Sequence, residues 1–273
     1  MNPRAVVVTG AFDNPRSREV RFLEEAARLG AVTVCLWSDR LAQEQTGQPP
    51  KFPEAERLYF LNAIRFVSRV RLIDQIAGAQ PLPDPAGFRG AIWADEENPD
   101  REARLAFSRQ AGLEYRVLAA EQLAGYPEPP APPAGIGPKK VIVTGSYDWF
   151  HTGHIRFFEE ASAYGDLYVV VGHDANIRLL KGEGHPLWSE AERRYLVGAV
   201  KFVTQALIST GTGWLDADPE IQRLKPDLYV VNEDGDRGGK REYCEKRGIQ
   251  YLVLKREPAP GLPARSSTRL RGF

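Results

Sequence analysis

VVVTGAFDNPRSREVRFLEEAARLG (residues 6–30) and VIVTGSYDWFHTGHIRFFEEASAYG (residues 141–165) decide the fold. Laid over one another without a gap, they agree at 11 of 25 positions. Each opens on a short β-branched run that closes on Gly, the pattern of a buried parallel strand. In the second stretch Ile155, Phe158 and Ala161 then recur at helical spacing, predicting a helix from Gly153 to about Tyr164. Moving outward, EAERLYFLNAIRFV (54–67) lies over EAERRYLVGAVKFV (190–203), and GLEYRVL (112–118) over GIQYLVL (248–254). Three matched blocks in one order make the chain a duplicated domain. Between the copies runs YPEPPAPPAGIGPKK (126–140), too rich in Pro and Gly for a helix or central strand. The expected division is a domain over 1–125, a linker over 126–138 and a second domain over 139–273.

Further strands are expected at DLYVVVG (166–172), DLYVVN (227–232) and IQYLVLK (249–255), with helices at 189–203 and 240–248. Ser189 followed three residues later by Glu192 has the form of a capping box. Strands alternating with helices give an α/β fold: two tandem Rossmann-like domains, each a parallel sheet with helices on both faces. Such sheets bind ligands beyond the carboxyl ends of their strands, so the loop GSYDWFHTG (145–153) is the first place to look.

The chain has 273 residues, 36 basic and 36 acidic, and 42% hydrophobic content. That is enough apolar material for a core in each half. Zero formal charge argues against nucleic acid or an anionic membrane as the main partner and leaves small-molecule substrates. Cys35 and Cys244 lie far apart, which speaks against a disulfide framework or thiolate zinc. With no signal-like N-terminus and no apolar run of about 20 residues, a cytoplasmic protein is expected.

All four histidines (His151, His154, His173, His185) fall in the second half. His151 and His154 flank Thr152-Gly153 at a predicted helix start, where free backbone N–H groups and a partial positive charge attract phosphate. Gly153 permits close approach of a ligand to the backbone. Imidazoles there can donate hydrogen bonds to a phosphoryl group that gains charge. His173 and His185 read as ordinary loop residues.

TGSYDWFHTGHIRFFEEA resembles the signature of the nucleotidyltransferase superfamily that carries a histidine-x-glycine-histidine motif, and within it the cytidylyltransferases. NIRLLKGEGHPLWSEAERRYLVGAVKFV is similar to that family's lysine-bearing loop and arginine-containing helix, and ARSSTRLR to its last motif. The resemblance implies a reaction that joins a nucleoside triphosphate to a phosphorylated alcohol or sugar and releases pyrophosphate, with Mg²⁺ on the phosphates. CTP is the expected donor and ATP the alternative; a non-catalytic nucleotide sensor or assembly partner is the rival outside enzymes.

By the same resemblance His151, His154 and Lys181 are the catalytic groups. Gly145, Ser146, Tyr147, Asp148 and Gly153 line the nucleotide, and Ser266, Ser267, Thr268 and Arg271 hold its phosphates. Asn232 and Asp234, at a strand's carboxyl end, suit base or ribose, although the family shows a Gly-Asp-Asp type sequence there. Arg193, Arg194 and Trp188 are candidates for the acceptor side; Trp149 and Trp214 suit that wall or core packing equally. Asp148 divides evenly between a nucleotide or metal role and a loop-structuring one, since Asp13 matches it in the first half.

In the overlay His151, Thr152, Gly153 and His154 fall on Arg16, Ser17, Arg18 and Glu19, and Gln45 and Thr46 stand near the Lys181 position. The first half is therefore expected not to catalyse, with Arg16 and Arg18 solvated. Its expected use is to complete an internal pseudo-dimer or to bind a regulatory ligand; association into a homo-oligomer stays open.

Overall fold

The computed structural model describes residues 4–78, 80–82, 85–128, 139–267 and 270. They form two compact units, Met1–Gly125 and Tyr126–Phe273. The first unit runs β1 (Ala5–Gly10), α1 (Ser17–Leu29), β2 (Ala31–Trp37), α2 (Asp39–Thr46), α3 (Glu54–Ala63), β3 (Arg69–Ile73), β4 (Ile92–Glu96), α4 (Arg101–Ala111) and β5 (Glu114–Leu118). The second runs β6 (Lys140–Gly145), α5 (Thr152–Ser162), β7 (Asp166–Val171), α6 (Asp174–Lys181), α7 (Glu190–Gly198), β8 (Gln205–Ile208), α8 (Asp218–Leu224), β9 (Leu228–Asn232), α9 (Lys240–Arg247) and β10 (Gln250–Leu254).

Each unit is one five-stranded sheet, ordered β3-β2-β1-β4-β5 in the first and β8-β7-β6-β9-β10 in the second. All pairings are parallel. The central strand β6 has Val141, Ile142 and Val143 fully buried, as a strand covered on both faces must. Ile142, Val170, Tyr229 and Val231 join Ile221, Tyr243 and Cys244 in a cluster that binds α8 and α9 to one face. Chain order reverses between β6 and β9, and that switch point opens a crevice at the strands' carboxyl ends. Where the second unit has α8, the first has only a short 3-10 turn at Pro85–Phe88.

The two units also share a clamp built on a buried arginine. Arg193, 0% exposed, donates from Nε to the Trp188 carbonyl (2.8 Å), and its two terminal nitrogens reach the Ser146 carbonyl (2.6 Å) and Asp174 Oδ1 (2.6 Å). Arg57, 1% exposed, repeats every bond with Phe52 (2.9 Å), Ala11 (2.5 Å) and Asp39 (2.7 Å). The clamp ties the strand-end loop to the helix pair beside it in both copies.

Several expectations need correction. Lys181 sits on the last turn of α6 and not on a loop. Arg193 spends its guanidinium inside the clamp. Arg194, 5% exposed, pairs with Glu128 and reaches the Tyr126 carbonyl. Neither arginine lines the crevice. Tyr126 also donates to Glu192 (2.9 Å), so residues 126–128 are held against α7 as part of the second unit. Glu192 therefore gives only half a capping box: Ser189 Oγ accepts its amide (3.3 Å), while its carboxylate serves Tyr126.

Candidate active site

At the end of β6 the chain turns through Tyr147, whose φ of 50° lies in the left-handed region. Gly145 makes this turn possible, because a Cβ there would stand 2.8 Å from Tyr147 Cζ. The loop then delivers His151 as the N-cap of α5. His151 Nδ1 accepts the Gly153 amide (3.0 Å), and His154 Nδ1 accepts the His151 amide (3.3 Å). Both Nδ1 atoms thus act as acceptors, which assigns both protons to Nε2. The rings stack with centroids 4.0 Å apart.

Burial depresses the pKa of His151 to about 3, with the charges of Arg256 and Arg265 adding to the effect. Burial also holds His154 well below its ordinary value, aided by His151, Arg256 and Lys181. Both imidazoles are therefore neutral near pH 7, and each offers an N–H rather than a charge. His151 Nε2 is buried and makes no hydrogen bond among the described residues.

These groups open into a cleft of about 460 Å³ at the switch point. Gly145, Ser146, Tyr147, His151, Gly153 and His154 line it from the β6 side, Asn232 and Asp234 from β9, and Lys181 from α6. Lys181 Nζ donates to Ser146 Oγ (2.8 Å). A second compartment of about 270 Å³ adjoins it, lined by Lys255, Arg265 and Ser266. Gly153, Phe157, Asn232 and Arg256 face both.

Asp148 lies elsewhere. Its Oδ1 accepts the amides of Leu187 (2.8 Å) and Trp188 (3.1 Å), as Asp13 accepts those of Lys51 and Phe52. It latches a loop and does not line the cleft. Trp188 likewise contributes its carbonyl to the Arg193 clamp and lines neither compartment. Ser267 Oγ donates to the Trp149 carbonyl (3.3 Å), and the Leu270 amide reaches the carbonyls of Ser266 and Ser267. Thr268 and Arg271 lie outside the described residues. His173 is the N-cap of α6, its Nδ1 accepting the Asn176 amide (3.3 Å).

Four cations escaped the sequence reading: Lys255 and Arg265 line the smaller compartment, and Arg256 and Lys240 the larger one. Arg256, two residues beyond β10, pairs with Asp234 and donates to the Arg265 carbonyl (3.1 Å). Lys240, at the start of α9, donates to the Gly235 carbonyl (2.9 Å), and burial lowers its pKa. Arg256 carried a signal, a basic residue just past a strand's carboxyl end, where a parallel sheet places its ligands; Lys240, eight residues beyond β9, carried none. No group of three or more His, Cys, Asp or Glu side chains suited to a metal occurs among the described residues.

The same positions in the first unit are occupied by side chains. Glu19, matching His154, caps α1 by accepting the Arg16 amide (2.8 Å). Arg18, matching Gly153, pairs with Glu96 (2.6 Å), which matches Asn232 by strand register. Trp37, matching Gly172, donates to Thr9 (2.9 Å), whose hydroxyl donates to the Pro81 carbonyl (2.7 Å). Arg18 is thus partly exposed, as expected, but paired.

A cytidylyltransferase-like family profile matches residues 142–272. The FAD synthase of Ferroglobus placidus is 37% identical over 120 residues, 43% of this chain and 75% of its own length. The chain belongs to the cytidylyltransferase-like nucleotidyltransferase family. The FAD synthase of Natrialba magadii is 34% identical over 119 residues, 42% of this chain and 76% of its own. The bifunctional protein HldE of Campylobacter curvus is 32% identical over 138 residues, 49% of this chain and 27% of its own. Among solved structures, the lipopolysaccharide core biosynthesis protein of Thermoplasma volcanium covers 43% of this chain and 96% of its own, at 24% identity and a TM-score of 0.38. This nucleotidyltransferase has, among its described residues, no helix long and apolar enough to cross a membrane.

Proposed function

We propose that the second unit transfers adenylate from ATP to a phosphorylated small molecule, with flavin mononucleotide the first acceptor to test. The observation that carries the reading is the pair of neutral imidazoles at the start of α5, both with Nε2–H, beside a cleft that also holds Lys181 and Arg256. ATP is favoured over CTP because two of the relatives above are FAD synthases, and FAD is adenylate joined to flavin mononucleotide through a diphosphate.

In this reading an acceptor phosphate oxygen attacks the α-phosphorus, the bond to the β-phosphate oxygen breaks, and pyrophosphate leaves. His151 and His154 donate to the α-phosphate oxygens as charge gathers on them, and Gly153 lets those oxygens approach the helix start. Lys181 neutralises the incoming phosphate, and Arg256, between the two compartments, the departing one. Gly145 and Ser146 floor the phosphate compartment, while Asn232 and Asp234 flank the ribose. Ser266 and Ser267, with Thr268 and Arg271 beyond the described residues, serve the triphosphate tail. Mg²⁺ enters on the triphosphate as part of the substrate, held mainly by phosphate oxygens and water.

The test is pyrophosphate release with Mg²⁺ and either ATP or CTP, against flavin mononucleotide, glycerol 3-phosphate and phosphocholine. Release with ATP and flavin mononucleotide is expected. Release with CTP and a phosphorylated alcohol, and none with ATP, overturns the donor and acceptor together. Tight nucleotide binding without release from any pair favours the sensor.

A further inference from the structure

Tyr147 lines the cleft, and its buried hydroxyl makes no hydrogen bond among the described residues. Its ring has a structural task. It stands edge-on to His154 (5.3 Å between centroids, 79°) and to Phe158 (5.2 Å, 64°). The first unit makes the same left-handed turn without the hydroxyl, because Phe12 holds the matching position with a φ of 46°. The ring and the left-handed turn therefore belong to the scaffold in both copies. The hydroxyl occurs only in the copy that carries the histidines, and leaving such a group buried without a partner costs about 1–3 kcal/mol.

An uncompensated cost of that kind, set in the wall of a cleft, is relieved when a ligand supplies the missing partner. Burial pushes the Tyr147 pKa far up, so the group stays a protonated O–H. A phosphate oxygen, which only accepts, is its natural complement. Tyr147 lines the compartment of Lys181 and Ser146 but not the neighbouring one with Lys255, Arg265 and Ser266. We propose that the Tyr147 hydroxyl donates a hydrogen bond to the acceptor's phosphate and so fixes the attacking group beside the histidines. The proposal rests on the proposed function, in which Lys181, lining the same compartment, meets the incoming acceptor phosphate.

The test compares the full-length protein with Tyr147→Phe, a residue the first unit already accommodates in this geometry. Calorimetry measures ATP binding, and then binding of inorganic phosphate to protein saturated with a non-hydrolysable ATP analogue. Steady-state pyrophosphate release is followed with flavin mononucleotide as acceptor. The variant is expected to melt at or above the wild-type temperature, since an unpaired buried hydroxyl is removed, and to bind ATP equally. Phosphate binding is expected to weaken and acceptor KM to rise about tenfold, the scale of one hydrogen bond to a charged group. Equal phosphate affinity in both proteins overturns the proposal, as does wild-type protein that binds no phosphate. A loss confined to ATP affinity, or to kcat with phosphate binding intact, also overturns it. If wild type binds phosphate but does not turn over flavin mononucleotide, the acceptor reading fails while the phosphate comparison still decides Tyr147.

Discussion

His151 has its tautomer chosen by the backbone: a helix that begins at Thr152 presents the Gly153 amide, and Nδ1 accepts it. The proton is left on Nε2, in a residue that lines the cleft. His154 is set in the same way one turn later. Replacing His154 by Ala is expected to lower kcat by about 10²–10³-fold, the cost of one transition-state donor, and near-normal pyrophosphate release would refute its role. Because His151 titrates at about 3 when folded against 6.5 in a free chain, its neutral form is favoured by folding. Between those values the unfolded chain holds the extra proton, so stability is complete above pH 6.5 and falls as pH drops toward 3. The slope is at most about 1.4 kcal/mol per pH unit from this residue. Urea midpoints at pH 5 and pH 7 should differ less in His151→Asn than in the wild type; equal differences would place the titration elsewhere.

Helix starts and clamps are the elements that build the cleft. A Cβ at Gly153 would lie 2.9 Å from His151 Cε1. Gly153→Ala should therefore displace the imidazole and cut turnover well beyond any change in melting temperature. Unchanged kcat would show that the ring has room to move. The Arg193 clamp belongs to folding. Its removal in Arg193→Met leaves Asp174 and two carbonyls without their donor, an expected loss of about 3–5 kcal/mol in chemical unfolding. Arg57→Met should cost a similar amount, although no site residue stands near it in sequence. A stable Arg193→Met protein with a raised acceptor KM would return Arg193 to the acceptor surface, where the family resemblance first placed it.

At the scale of the whole molecule, one topology is used twice with different side chains at the switch point. In the second unit Gly153 and Asn232 leave the crevice open; in the first, Arg18 and Glu96 close a salt bridge across the matching positions. Trp37 and Pro81 take up the Thr9 hydroxyl, whose counterpart Thr144 lines the cleft. One molecule of a non-hydrolysable ATP analogue per chain is therefore expected by calorimetry. Two would mean that the first unit opens.

The repeat, the parallel sheets and the position of the histidines were all legible in the order of residues. They depend on local periodicity, on Gly at strand ends and on helix caps, which act over a few neighbours. The lysine at 181 was legible too, but its helix was hidden by the Gly-rich stretch that follows. Arg193 and Asp148 could not be placed in the same way, since a buried arginine clamp and a substrate-binding arginine are spelled alike. The partners of Arg193 (Ser146, Asp174 and Trp188) lie 5 to 47 residues away, and those of Asp148 (Leu187 and Trp188) 39 and 40. Arg256 and Lys240 joined the site only because β9 and β10 bring their carboxyl ends beside β6. The sequence by itself determined which copy keeps the two histidines at its helix start, because that motif is contiguous. Tertiary structure alone decided which charges face the cleft and which are spent inside the protein, because burial and hydrogen-bond partners are set by strand order across the sheet.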